Sequence, residues 1–372
     1  MKKKQTTNES YYLASQWKLM GRKLKKHALA RFSMVILGIL YFCMLFSDFL
    51  APYGTEEFDS LYKDVDATKV YTSYDGEYIG PFVFRMKKTV DMATRTVKIE
   101  EDRSEYYKLE WFVHGAEYKV LGFIPCDWHL YGLSEGSKGG TGAKIFIFGG
   151  DIYGRDIFSR VLLGSKVSLS MPLVSAFISL FLGILIGSIS GYFGGWVDIV
   201  IQRILEVISS IPRIPLWIAL SAAIPPGTSS VKMYIYMTII LSFINWTGMA
   251  RTVRGKFLSS KNEDYVLAAK MSGVSTWDII WTHMVPGFMS YLIVSVTRSI
   301  PSSIIGETSM SYLGLGIKPP ATSWGVLLQE CRTLNNIVLH PNKMIPILFV
   351  TIAVLAFNFF GDGLRDAADP YK

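Results

Sequence analysis

Charge is scarce in this sequence: Asp, Glu, Lys and Arg make up 18% of its 372 residues, against 50% hydrophobic residues. That balance is too apolar for an ordinary soluble domain and makes a membrane protein the first reading. Histidine and cysteine are also few. His27, His114, His129, His283 and His340 form no constellation, and Cys43, Cys126 and Cys331 have neither metal-ligand spacing nor the density of a disulfide scaffold. No metal site is therefore expected, and unpaired thiols are favoured over a Cys126–Cys331 bridge. The sequence has no G-x-x-x-x-G-K-S/T phosphate loop, no H-E-x-x-H zinc site and no G-x-S-x-G nucleophile elbow. These absences leave no catalytic residue to nominate. An intramembrane hydrolase is a poor alternative, because no nucleophile-and-base pair is visible in the apolar stretches.

What is present is unevenly placed. The net charge of +8 comes largely from Lys2, Lys3, Lys4, Lys18, Arg22, Lys23, Lys25, Lys26 and Arg31, against the single acid Glu9 in the same stretch. A basic tail beside an apolar run reads as positive-inside charge rather than as a nucleic-acid surface. A cleaved leader is not expected, because the basic region is too long and no small-residue cleavage site follows. Leu13, Trp17, Met20 and Leu24 recur at helical spacing among the basic residues, which suits either a helix in the membrane interface or an extension of the first span.

Windows of about 20 mainly apolar residues fall at residues 32–50, between Lys166 and Asp198, and at 199–224, 233–250, 284–305 and 344–360. The expected fold is thus an all-α integral membrane protein with six transmembrane helices. Alternation from a cytoplasmic N-terminus places residues 251–283 inside, and Arg251, Arg254, Lys256, Lys261 and Lys270 support the same orientation. Residues 51–148 are too long for a simple loop. Tyr107–Val113 and Glu117–Phe123 alternate around a His114-Gly115-Ala116 turn, and residues 144–148 are another β-prone run, so a small β-rich extracytoplasmic insert is expected, with Gly-rich residues 136–142 as its exit. The organisation is then 1–31 basic segment, 32–50 first span, 51–148 insert, 149–361 core with a cytoplasmic loop at 251–286, and 362–372 cytoplasmic tail.

Gly183, Gly187, Gly191 and Gly195 recur every fourth residue and predict a close helix–helix approach. Arg203 and Glu206 are spaced to pair on one helix face. Arg213 lies between Pro212 and Pro215, where a broken helix could line a cavity. With Arg298, expected to face the bundle interior, and Glu307, it is a candidate for bordering a pathway, since charge within a membrane is costly and tends to be functional. Glu263-Asp264-Tyr265-Val266-Leu267-Ala268-Ala269-Lys270-Met271-Ser272-Gly273, followed by Val274 to Val285 and Pro286, reads as helix, glycine break and short helix.

The order Ala268-Ala269, Gly273, Pro286 resembles the EAA loop of bacterial ABC importer permeases, with Leu267 where the name-giving Glu would stand. Gly149-Gly150-Asp151-Ile152-Tyr153-Gly154-Arg155-Asp156 through Ser159-Arg160 resembles the segment ahead of the second span in C-type permeases of dipeptide and oligopeptide importers, with Gly150 in place of the common Thr. Ser311-Tyr312-Leu313-Gly314-Leu315-Gly316, Ser323-Trp324-Gly325 and the ending Phe357 to Pro370 are similar to other stretches of the same permeases. The resemblance implies a bacterial inner-membrane protein with both termini cytoplasmic, working with a homologous permease, two ATP-binding subunits and an extracytoplasmic solute-binding protein. It implies no cofactor on this chain, ATP and Mg being used by the partners. Asp264, Tyr265, Ala268, Ala269, Gly273, Val274 and Pro286 would couple to the ATP-binding subunit, and Asp151, Gly154, Arg155, Asp156, Gly314, Gly316 and Trp324 would be external family motifs. Peptides are the implied substrates, nickel chelates or oligosaccharides being alternatives within the family. From another class, a membrane-anchored sensor or assembly factor with a ligand-binding insert is the rival.

Overall fold

The computed structural model describes residues 16–90, 97–120, 123–138 and 142–369. Leu13, Glu9, Pro370 and the middle of the Gly-rich exit at 139–141 lie outside them. The chain divides into two compact units, drawn from Met1–Ile39, Met171–Glu307 and Thr351–Lys372, and from Leu40–Ser170 and Thr308–Val350.

Among the described residues, four helices are long and apolar enough to cross a membrane: α2 (Ala28–Leu45), α3 (Ile157–Phe193), α6 (Ser230–Ser260) and the helical stretch Pro341–Ala368, which contains α9 (Ile345–Ala368). The windows expected at 199–224 and 284–305 are not straight spans. The first is α4 (Gly195–Ser210) and α5 (Arg213–Ala222), bent by 87°, and the second is Thr276–Gly287 followed by α8 (Met289–Tyr312), bent by 72°. The first break follows from proline: Ile211 is forced into extended backbone by Pro212, as residues before proline are, so α4 stops at Ser210. The second falls at Phe288, which is not helical and separates the turn containing Pro286 from α8.

Within the first unit, α3 and α6 meet at the glycines. A Cβ on Gly187 would lie 2.5 Å from the Ala250 carbonyl oxygen, one on Gly191 2.5 Å from Phe257 Cβ, and one on Gly183 would collide with Met249. Side chains here would hold the two backbones apart, which is the packing the four-residue spacing predicts. Gly195 does not join that face: α3 ends at Phe193, and Gly194 and Gly195 turn the chain with φ of +67° and +52°. Leu205, Trp246 and Ala250 complete the contact, with Leu182 and Ile186 packed against them.

The basic helix α1 (Gln16–Lys26) is separate from α2, broken at His27. Two of its apolar residues are covered by the chain itself, Met20 being buried with Val294, Leu364 and Ala367 and Leu24 packing beside it, while Trp17 is exposed. Helix α9 runs on to Ala368, past residue 361, and closes this contact. Gly363 stands so close to Ala30 that a side chain could not enter.

The second unit carries a four-stranded antiparallel sheet in the order β1 (Tyr71–Tyr74), β2 (Glu77–Val90), β3 (Val97–Val120), β4 (Ile124–Gly136). Asp75 and Gly76, both at positive φ, form the two-residue turn joining β1 to β2, the geometry that matches strand twist in a hairpin. The turn expected at His114-Gly115-Ala116 is absent. β3 passes straight through it, with an irregular register between His114 and Tyr118, because β4 offers a partner on both sides of the irregularity. The β-prone run at 144–148 is not a strand either. Its amides are taken by side chains: Lys144 N–H donates to Tyr62 Oη at 2.8 Å, Ile145 N–H to Tyr53 Oη at 2.8 Å and Phe146 N–H to Thr68 Oγ1 at 2.9 Å. Val83, Tyr107, Tyr131 and Ile145 form the core beneath the sheet.

Candidate functional site

The loop at 251–286 has two chemically different faces. On α7 (Asp264–Met271), Val266 and Ala269 are buried, whereas Asp264, Tyr265, Leu267, Ala268 and Met271 are exposed, Met271 to 89%. Of the expected coupling residues, Ala269 thus holds the helix from beneath, Val274 is half-buried, and Gly273 and Pro286 are exposed. Asp264 in the first turn and Lys270 in the last complement the helix dipole. The end is sharply closed. Ser272, Gly273 and Val274 donate to the carbonyls of Ala268, Lys270 and Ala269 at 3.0, 3.1 and 3.2 Å, with Gly273 at φ +76°, a left-handed cap that glycine adopts without a Cβ clash. Ser275 then opens the next turn, its Oγ accepting from Asp278 N–H at 3.2 Å. Residues Ile279–Met284 form a π-helical stretch before Pro286. The Lys270 ammonium lies 4.9 Å from the centre of the Tyr192 ring, tying α7 to the end of α3.

Beside this loop lies a clamp that charge patterning alone did not reveal. Arg254 on α6 grips Asp198 on α4 with two bonds of 2.5 Å, and Ser190 on α3 donates to the same carboxylate at 2.5 Å. A bidentate guanidinium–carboxylate pair fixes direction as well as distance, so three helices are locked where the charge-free run ends. Asp198 marked that boundary in the sequence, but its partner is 56 residues away.

In the second unit the motif residues gather around buried charge. Asp151 accepts from the amides of Tyr153 and Arg155 at 2.8 and 2.9 Å and from Arg155 Nε at 2.7 Å, and it also pairs with Arg160. Glu330 lies 4.0 Å from Arg155, 3.8 Å from Arg160 and 3.8 Å from Lys343, which also pairs with Asp64. Burial, then the nearby Asp151 charge, push the Glu330 carboxyl up. Asp156 caps α3, accepting from Ser159 N–H at 2.8 Å and Ser159 Oγ at 2.6 Å, and burial raises it to about 6. Gly154, at φ +80°, leaves no room for a Cβ against the Asp59 carbonyl. Trp324 is fully buried, its indole N–H donating to the Val161 carbonyl at 2.9 Å and its amide to Ser168 Oγ at 3.0 Å. Gly314 turns the chain after α8, and Gly316 packs on Ser311. Asp64, Glu330 and Lys343 were not singled out from sequence, since each pairs across more than a hundred residues or joins a motif from outside it. An open cleft of about 520 Å³ beside this network is lined by Arg155, Arg160, Lys318, Glu330 and Arg332 among others.

The candidate pathway residues do not share one environment. Glu307 is fully buried on α8, while Arg213 and Arg298 are exposed on the isolated chain. Near Glu307, a Cβ on Gly306 would lie 2.7 Å from the Trp217 ring, and Asn245 donates to Ser303 Oγ at 2.9 Å. Arg203 and Glu206 do pair, at 2.7 Å, on an exposed face. Cys126 and Cys331 are free thiols.

Residues 183–371 match the family described as binding-protein-dependent transport system inner membrane component. The chain belongs to this family. Residues 15–69 of the permease also match the N-terminal TM domain of oligopeptide transport permease C. It is 40% identical over 226 residues to the dipeptide transport system permease protein DppC of Lactococcus lactis subsp. cremoris, a match covering 60% of the permease and 64% of that relative. It is 42% identical over 224 residues to the glutathione transport system permease protein GsiD of Shigella dysenteriae serotype 1, covering 60% and 71%. Among solved structures, an inward-facing form of the MetNI methionine ABC transporter aligns with 56% of the permease and 96% of its own chain, at 18% identity and a TM-score of 0.44.

Proposed function

We propose that the permease forms half of the translocation pathway of an ATP-driven importer for small peptides, dipeptides or glutathione being the leading substrates from the relatives' names. In this reading both termini and the loop at 251–286 are cytoplasmic. A homologous permease completes the pathway, two ATP-binding subunits drive it, and an extracytoplasmic solute-binding protein delivers the substrate. The observation that carries this reading is α7: a short helix seated on Val266 and Ala269, closed by Gly273, and presenting Tyr265, Leu267, Ala268 and Met271 to whatever docks there.

Mechanistically, ATP binding closes the partner dimer, and a helix gripped at its exposed face moves with it. Because α7 is tied to α3 through Lys270 and Tyr192, and α3 to α4 and α6 through Ser190, Asp198 and Arg254, that motion reaches the helices as a group. The pathway is then accessible from the other side, a population shift between two packed arrangements. ATP and Mg act on the partner subunits, not on this chain.

Uptake of a labelled dipeptide and of labelled glutathione, in cells lacking the chain and in cells complemented with it, tests the assignment. Restored uptake of either is expected. Arg213→Gln, Arg298→Gln and Glu307→Gln at equal expression are expected to lower uptake at one position or more, and unchanged uptake for all three removes these residues from the pathway.

A further inference from the structure

The β3–β4 hairpin exposes several large apolar and aromatic side chains. Trp111, Phe112, Phe123, Ile124 and Trp128 are all exposed, Phe123 to 86%. Residues 118–126 carry a single charge, Lys119. Phe123 and Ile124 are adjacent, and exposed apolar surface of this kind marks an interaction site.

The position of the hairpin identifies what covers it. Residues 32–47 and 167–197 are free of Asp, Glu, Lys and Arg, and each run ends at a charge, Asp48 and Lys166 respectively. Those two charges pair at 2.6 Å, so α2 and α3 leave the hydrocarbon together at that level. The hairpin is fastened at the same level. His129 Nδ1 lies 2.7 Å from the Ala51 carbonyl oxygen and Nε2 lies 3.1 Å from that of Ala116. The Phe112 ring centre lies 6.2 Å from that of Phe49, and Phe112 reaches this contact with φ at +55°, a conformation rare for a bulky residue. Ser47–Leu50 packs against both β3 and β4, which places the hairpin alongside it. At the end of α2, Phe42, Leu45 and the following Phe46 are exposed as well.

We propose that the β3–β4 hairpin lies in the lipid headgroup layer, with Phe123 and Ile124 dipping towards the acyl chains, Trp111 and Trp128 at the interface and Lys119 near the phosphates. Aromatic side chains with one polar edge favour this layer. The sheet is thereby held by the bilayer as well as by its packing on Ser47–Leu50.

The test uses the full-length chain, with its co-purifying partners, in vesicles of phosphatidylethanolamine and phosphatidylglycerol. Nitroxides are placed by Phe123→Cys and, at the other end of β3 roughly 70 Å along the strand at the usual rise, by Ile99→Cys, with the native cysteines replaced by serine. The ratio of collision with oxygen to collision with a water-soluble nickel chelate is expected to be at least about fivefold higher at 123 than at 99. Equal ratios with ready access to the chelate mean the hairpin is in water and overturn the proposal. Exclusion of both reagents at 123 means a protein covers it and overturns the proposal equally. Because cysteine replacement could disturb folding, the unsubstituted chain is also labelled with a diazirine-bearing phospholipid. Adducts within residues 118–128, absent from 98–108, are expected, and their absence from 118–128 contradicts the proposal.

Discussion

Asp156 concentrates two opposing effects in one side chain. As the cap of α3 it satisfies the amide of Ser159, which an acidic or amide side chain does best. As a carboxylate buried among apolar neighbours it is raised from 3.8 to about 6. The folded chain therefore holds this proton more tightly than the unfolded chain does. The associated stability is fully present below about pH 4 and is lost as pH rises through about 6, a swing of up to about 3 kcal/mol. Asp156→Asn keeps an acceptor for Ser159 and removes the titration. It is predicted to match or exceed the parent's thermal midpoint in detergent at pH 7, and to lack the gain the parent shows between pH 7 and pH 5. Asp156→Ala loses the cap and is predicted to cost ~1 kcal/mol. Identical pH profiles for the parent and the Asn variant would contradict this assignment.

At the scale of elements, the contact between α3 and α6 is set by the absence of side chains. Gly187→Ala meets the Ala250 carbonyl, which is backbone and cannot swing aside, whereas Gly248 on α6 faces open space. Gly187→Ala is predicted to lose ~1–3 kcal/mol through overpacking, while Gly248→Ala is neutral or gains up to ~1 kcal/mol of helix propensity. Thermal melts of the two variants, followed by size-exclusion of the detergent-solubilised chain, separate them, and equal melts would sink the close-approach account. This contact was legible because a four-residue period is local. So were the glycine cap at Gly273 and the helix breaks around Pro212 and Pro286, though the right-angle bend at the first was not, since a hydropathy window counts apolar residues without regard to direction. The long β3 was misread because His114-Gly115-Ala116 looks like a turn until its partner strand is known. Asp75-Gly76 was the hairpin signal that could have been used. The ionic partners were the least legible: Asp48 with Lys166, Asp198 with Arg254 and Glu330 with Arg160 are brought together only by tertiary structure.

At the scale of the whole molecule, one compact unit carries α6 and the exposed helix α7, and the other carries the sheet and a network of buried charge. Helix α7 contributes little to the core beyond Val266 and Ala269, and the proposed coupling role rests on its exposed face. Gly273 isolates that role, since its surroundings are open and only its backbone conformation is constrained. A leucine there must adopt left-handed backbone, at a cost of about 1–2 kcal/mol, and would fray the cap of α7 while leaving the spans intact. The most direct measurement is quantitative mass spectrometry of what co-purifies with the tagged chain from mild detergent. Two ATP-binding subunits and one homologous permease per chain are expected, with Gly273→Leu retaining the permease but losing most of the ATP-binding subunits. A chain recovered alone, folded and gently extracted, or a Gly273→Leu variant indistinguishable from the parent in both composition and ATP-driven uptake, would contradict the account.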